Sequence, residues 1–137
     1  FKKYCEEIVN NAKTIANELK QKKYNLVSNG TDTHLVLIDL SNKDITGKVA
    51  EQRLEQAGIT TNKNMVPFDQ KSPMVTSGIR IGTPALTTRG MGVDEMKEIA
   101  HLIDLVLSNI DDNKVISNVK SRVKDLCNSF KLYPHLQ

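Results

Sequence analysis

Hydrophobic positions recur every three or four residues in several stretches of the chain, which predicts amphipathic helices. The first such stretch begins at Tyr4, and the second runs from Thr46 to Ala57, followed by Gly58, a typical residue just past a helix C-terminus. Two further stretches are apolar along one face, from Met96 to Ile110 and from Ile116 to Phe130. The pattern therefore predicts helices at both ends of the chain and one in its middle.

Shorter and denser apolar segments predict β-strands between these helices. Leu35 to Leu40 is the clearest, and we expect it to pair antiparallel with Tyr24 to Ser28 because the connection is short. Ile59 to Asn62 is a further extended segment, followed by a proline-containing loop from Lys63 to Pro73. Helices around a small, mostly antiparallel sheet predict an α+β fold, with residues 1–137 forming a single domain.

The run from Thr76 to Gly90, TSGIRIGTPALTTRG, contains the strongest candidate site. In a strand, Gly78, Arg80 and Gly82 share one face, and the two isoleucines between them point to the other. The glycines would leave space beside a guanidinium that suits a carboxylate bound by two parallel hydrogen bonds. Thr83-Pro84 then predicts a helix N-terminus, which also favours an anion. The alternative is an edge-strand arginine in a surface salt bridge.

The polar segment Asn62 to Asn64 allows two interpretations from the residues alone. Asparagine is common in turns because it tolerates a left-handed backbone and caps its own main chain. The amide of Asn64 also offers an acceptor and two donors in one plane, which suits the polar edge of a planar ring ligand.

Composition argues against several classes of function. Charged residues make up 26% of the chain with a net charge of +3 and mixed signs, whereas a nucleic-acid-binding protein would be expected to show a basic stripe. No apolar run is long enough for a membrane span, no secretion signal is evident, and the histidines are too scattered for a metal site. We expect a cytoplasmic protein in which Cys5 and Cys127 are buried free thiols.

The run from Asn62 to Gly90, NKNMVPFDQKSPMVTSGIRIGTPALTTRG, resembles the C-terminal region of serine hydroxymethyltransferase. The resemblance continues through GTDTHLVLIDL (Gly30 to Leu40) and TGKVAE (Thr46 to Glu51). That family interconverts serine and glycine with tetrahydrofolate and depends on pyridoxal phosphate. The resemblance implies the C-terminal small domain of an aspartate-aminotransferase-like (fold type I) enzyme that works as a homodimer or tetramer. The chain begins within a predicted helix rather than at a methionine, which we interpret as a fragment.

The resemblance also implies roles for individual residues. Arg80 would bind the substrate carboxylate, Asn64 would contact the folate pterin, and Lys63 would meet the glutamate tail of the folate. Phe68 departs from the family pattern, in which a small or polar residue is common, and this affects the shape of the folate entrance.

The chain lacks the threonine-rich segment ending in His-Lys that carries the family's Schiff-base lysine. It therefore contains no catalytic residue, and we expect it to be inactive alone. A standalone, non-catalytic amino-acid-binding or regulatory domain is the alternative function.

Overall fold

The computed structural model describes residues 2–27, 35–82 and 90–130, and these ranges contain helices and strands in an α+β arrangement. The elements are α1 (Lys2–Gln21), β1 (Asn25–Leu26), β2 (Leu35–Asp39), α2 (Gly47–Gln56), β3 (Asn62–Asn64), β4 (Gly78–Gly82), α3 (Val93–Ser108) and α4 (Asn113–Asn128). A short 3-10 turn, Ser41–Lys43, lies between β2 and α2.

The described strands form one sheet in the order β1-β2-β4-β3, and every neighbouring pair is antiparallel. This confirms the predicted α+β class and the antiparallel pairing of the first two strands. The asparagine-containing segment Asn62–Asn64 was predicted to end an extended stretch and enter a loop, but it forms β3. The difference arises because its backbone pairs with β4, from Asn62 opposite Arg80 to Asn64 opposite Gly78.

The core lies between one face of the sheet and the helices. Val36, Ile38, Ile79 and Ile81 are buried on this face, and α1 packs against α3, which also contacts α4. The helices contribute fully buried side chains such as Ile15, Leu19, Leu102, Ile103 and Val106. Since these residues recur at helical spacing, the amphipathic pattern of the sequence reports the packing faces directly.

Both ends of α2 are set by local chemistry. The Thr46 hydroxyl accepts a hydrogen bond from the Val49 amide at 3.2 Å and caps the helix. Gly47 follows, and a Cβ there would overlap Thr76 Oγ1 and the Gly78 carbonyl oxygen, so only glycine lets the helix start this close to β4. The other end terminates before Gly58, which has a φ of +83°, as the sequence predicts.

The expectation that the two cysteines are buried is wrong, whereas the expectation that they are free thiols is confirmed. Cys5 is exposed and Cys127 is only half-buried, and both are free thiols. Cys5 has the right helical phase, but the first turns of α1 lie outside the core, where Ile8 is also only half-buried. Burial in α1 begins at Asn11. The predicted helix start at Thr83-Pro84 lies outside the described residues.

Candidate functional site

Arg80 lies at the centre of β4 on the face of the sheet opposite the core. Its side chain is exposed, whereas Ile79 and Ile81 on either side of it are buried at 0% and 3% exposure. This is the alternation that the sequence predicts. β4 is bordered by β2 and β3, so Arg80 is not on an edge strand. Within the described ranges its guanidinium has no hydrogen-bond or salt-bridge partner, which argues against the surface salt-bridge interpretation.

The register of the sheet defines the neighbours of Arg80. Leu37 of β2 lies directly opposite on one side, and Asn62 of β3 lies directly opposite on the other. Residues paired in this way share a face and have Cβ atoms about 5 Å apart. Leu37 is half-buried and Asn62 is exposed. Arg80 therefore has an apolar neighbour on one side and an unpartnered amide on the other, among the residues that the structure describes.

The expectation of open space at Gly78 is wrong. A Cβ atom there would lie 2.7 Å from the Ile38 carbonyl oxygen, 2.8 Å from Val66 Cγ1 and 2.9 Å from the Asn64 carbonyl oxygen. Glycine is required because neighbouring strands and the Val66 side chain close over this position. Gly82, two residues beyond Arg80, is exposed.

Asn64 shares the face of Arg80. It pairs with Gly78, which places its side chain on the same side of the sheet, two positions along from Arg80 and Asn62. The Asn64 amide nitrogen donates a hydrogen bond to the Met65 carbonyl oxygen at 2.9 Å. The structure thus brings together the two site residues that the sequence predicts 16 positions apart.

Lys63 points to the other side of the sheet. It is paired with the buried Ile79, and its ammonium nitrogen lies 3.7 Å from Glu51 Oε1 of α2. The Lys63 backbone amide also donates to Glu51 Oε2 at 2.7 Å. Lys63 is therefore not brought together with Arg80 and Asn64.

The loop between β3 and β4 is organised by Asp69, a residue that the sequence analysis missed. Its carboxylate accepts hydrogen bonds from the amides of Val66, Lys71 and Ser77 at 3.2, 2.9 and 2.8 Å and from the Ser77 hydroxyl at 2.7 Å. Desolvation raises the pKa of Asp69, but these hydrogen bonds outweigh it and hold the pKa well below its usual range. The Pro-Phe-Asp segment between two strands is a turn signal that could have identified it.

Phe68 is the most exposed large apolar side chain of this loop. Its side chain is 96% exposed and its backbone has a φ of +59°, a value that bulky residues rarely adopt. Met74 and Met65 of the same loop are also exposed. The loop therefore presents apolar surface beside the face that carries Asn64 and Arg80.

The sequence profile of serine hydroxymethyltransferases matches residues 1–103 of the 137-residue chain. The chain belongs to the serine hydroxymethyltransferase family. The match includes the whole sheet and all three predicted site residues, and it ends within α3. Members of this family are transferases that generally use pyridoxal phosphate and tetrahydrofolate.

The chemistry of the Arg80 face suits some of these groups and not others. The described strand residues on this face include the Arg80 cation, the amides of Asn25, Asn62 and Asn64, and the Asp39 carboxylate, but no lysine. An arginine on such a face suits a carboxylate, whereas the face offers no amine for the covalent attachment of pyridoxal phosphate.

Within the described ranges, no group of three or more His, Cys, Asp or Glu side chains is arranged to hold a metal ion. Among the helices that the structure describes, none has the length and apolar character needed to cross a membrane.

Proposed function

We propose that residues 1–137 are the C-terminal domain of a serine hydroxymethyltransferase and that Arg80 binds the carboxylate of serine or glycine. The observation that supports this proposal is an exposed arginine at the centre of a sheet, with no partner among the residues that the structure describes, in a chain of this family. A fixed guanidinium offers two parallel donors to a carboxylate, which a lysine ammonium does not.

The proposed role of Arg80 is orientation. Its strand is hydrogen-bonded on both sides, so the backbone that carries the guanidinium is held in place. A carboxylate bound there fixes the amino acid at one end, and orientation of this kind contributes about 7–11 kcal/mol to lowering a barrier in favourable cases. When bound, pyridoxal phosphate supplies the electron sink for the reacting carbon. Its Schiff-base lysine is not in this chain, so we expect the chain alone to be inactive.

The proposed folate site includes Asn64, which would contact the pterin ring. Its support is the position of Asn64 on the face of Arg80, where a folate and an amino acid could lie side by side. Lys63 is proposed to meet the glutamate tail of the folate, but it would first have to leave Glu51. We therefore expect Lys63 to contribute less to folate binding than Asn64.

The location and assembly proposed for the complete enzyme follow from the family resemblance. We propose a cytoplasmic homodimer or tetramer in which the active site also uses residues outside this chain.

The test of Arg80 is the affinity of the complete enzyme for serine, measured by calorimetry on the variant Arg80→Lys. We expect serine binding to be nearly abolished, because a point charge does not reproduce the planar fork. Arg122→Lys is the matched control, since Arg122 pairs with Glu98 at 2.7 Å between α3 and α4. Serine affinity unchanged in Arg80→Lys would reject the proposal. Serine binding by the isolated chain would instead favour the amino-acid-binding module.

A further inference from the structure

We propose that Asp69 is a positioning residue for the folate site: its carboxylate fixes Asn64 relative to Arg80 by joining the two strands that carry them. This inference rests on the proposed function of Asn64 and Arg80. It concerns a residue that touches neither ligand and acts only through the loop that it holds together.

One carboxylate oxygen of Asp69 connects the residues just after β3 to the residue just before β4. Oδ2 accepts hydrogen bonds from the Val66 amide at 3.2 Å and from the Ser77 amide at 2.8 Å. Val66 lies two residues after Asn64, and Ser77 lies immediately before Gly78. Because Asn64 and Gly78 form the last residue pair between β3 and β4, the carboxylate continues the connection between the strands beyond their final pair.

The second oxygen holds the rest of the loop. Oδ1 accepts from the Lys71 amide at 2.9 Å and from the Ser77 hydroxyl at 2.7 Å. Lys71 Nζ also donates to the Ser77 hydroxyl oxygen at 3.3 Å. Hydrogen bonds to an ionised carboxylate are stronger than those between neutral groups. The lowered pKa of Asp69 is consistent with a carboxylate that stays ionised near neutral pH.

β3 depends more than β4 does on the hydrogen bonds that Asp69 accepts, which are called the Asp69 clamp below. Among the described strands, β3 is paired only with β4, through three residues, whereas β4 is paired with β2 through five residues as well as with β3. Val66, which the clamp holds, is also the residue whose Cγ1 closes over Gly78. Loss of the clamp is therefore expected to displace Asn64 while Arg80 stays in place.

The experiment compares Asp69→Asn, Asn64→Ala and the double variant in the complete holoenzyme, with calorimetry for tetrahydrofolate in the presence of glycine and for serine alone. We expect Asp69→Asn to weaken tetrahydrofolate binding roughly ten- to hundredfold, because the loss of one or two well-placed hydrogen bonds from Asn64 changes an affinity by about this factor. Serine affinity should change by less than about threefold. In the double variant the two losses should not add, because both act through the same side chain.

The control is Asp112→Asn. Asp112 caps α4 by accepting hydrogen bonds from the amides of Lys114 and Val115 at 3.0 and 3.2 Å. The same substitution there removes a carboxylate with similar hydrogen bonds, but at the start of a helix rather than between β3 and β4. It should leave tetrahydrofolate affinity unchanged. If Asp69→Asn does not fold, Ser77→Ala removes the hydroxyl contacts with Asp69 and Lys71 but keeps the backbone amide bonds to Asp69. It should show a smaller loss with the same preference for folate.

The outcomes separate this inference from the proposed function. Unchanged tetrahydrofolate binding in Asn64→Ala would reject both. If Asn64→Ala lowers tetrahydrofolate affinity but the folded variants of Asp69 and Ser77 do not, the role of Asp69 alone is rejected. Equal losses for serine and tetrahydrofolate, or an equal loss in Asp112→Asn, would also overturn it, because either result indicates a general effect on stability. Additive losses in the double variant would overturn it as well, because they indicate that Asp69 does not act through Asn64.

Discussion

Replacing Gly78 with alanine tests whether this glycine serves strand packing or ligand space. The added methyl group would meet three heavy atoms at less than 3.0 Å, two of which are the backbone oxygens of Ile38 and Asn64. The third, Val66 Cγ1, belongs to a side chain that can move. The carbonyl oxygens belong to the neighbouring strands β2 and β3, so relief of the overlap requires the sheet itself to shift.

The expected cost follows from these contacts. Inserting a methyl group into a closely packed region typically costs about 1–3 kcal/mol, and the two backbone contacts place Gly78 at about 3. Gly78 does not have a positive φ, so the alanine variant regains up to about 1 kcal/mol from the reduced freedom of its unfolded chain. The net loss is about 2 kcal/mol in the free energy of unfolding. For a domain of this size that lowers the melting temperature by roughly 8 °C.

The assay is thermal and denaturant unfolding of Gly78→Ala beside a control, Gly92→Ala. A Cβ at Gly92 would meet only Glu95 Oε1 at 3.7 Å, so the control should lose no more than about 1 kcal/mol, as expected for alanine at a helix N-cap. Equal stability of the two variants would refute the packing argument. A fully stable Gly78→Ala with weakened serine binding would show instead that the glycine provides ligand space.

Two further predictions concern polar groups. Tyr24→Phe should lower the free energy of unfolding by about 1–2 kcal/mol, because the Tyr24 hydroxyl donates a hydrogen bond to Asp104 at 2.8 Å. The ring can still contact the Lys43 ammonium, which lies 4.4 Å from its centre. An unchanged midpoint in denaturant unfolding would contradict this prediction. The pKa of Asp69 is lowered in the folded state, so its stabilising effect is present above the ordinary value of 3.8 and is lost as the pH falls below it. Unfolding measured from pH 5 to pH 2 should therefore depend less on pH in Asp69→Asn than in the parent protein, and identical slopes would refute this.

Much of the fold could be predicted because it follows from local patterns. The alternation of Ile79, Arg80 and Ile81 identified both the strand and its exposed face. The side chain of Thr46 and the left-handed backbone of Gly58 set the ends of α2 as expected. These features depend on residues close together in sequence, whose conformational preferences survive in the folded chain.

The errors concern contacts between distant segments. Asparagine is uncommon in strands, yet Asn62–Asn64 becomes a strand because β4 offers pairing partners. The packing around Gly78 depends on Val66 and on a carbonyl of β2, and neither is visible in a local pattern. Cys5 has the correct helical phase but lies beyond the end of the core.

Only the part of the candidate site that depends on local residue spacing could be predicted. The Arg80 face could be derived from residue spacing, whereas its neighbour Asn62 follows only from the register between β3 and β4. The Pro-Phe-Asp segment signals a turn at Asp69, but the three backbone amides directed at its carboxylate come from residues up to eight positions away and follow only from the folded loop.

The most direct test of the central claim is a crystal structure of the complete enzyme with serine bound. We predict that the serine carboxylate accepts two parallel hydrogen bonds of about 2.8 Å from the guanidinium of Arg80. A serine carboxylate held by other residues, with Arg80 turned to solvent or to a protein carboxylate, would contradict the account.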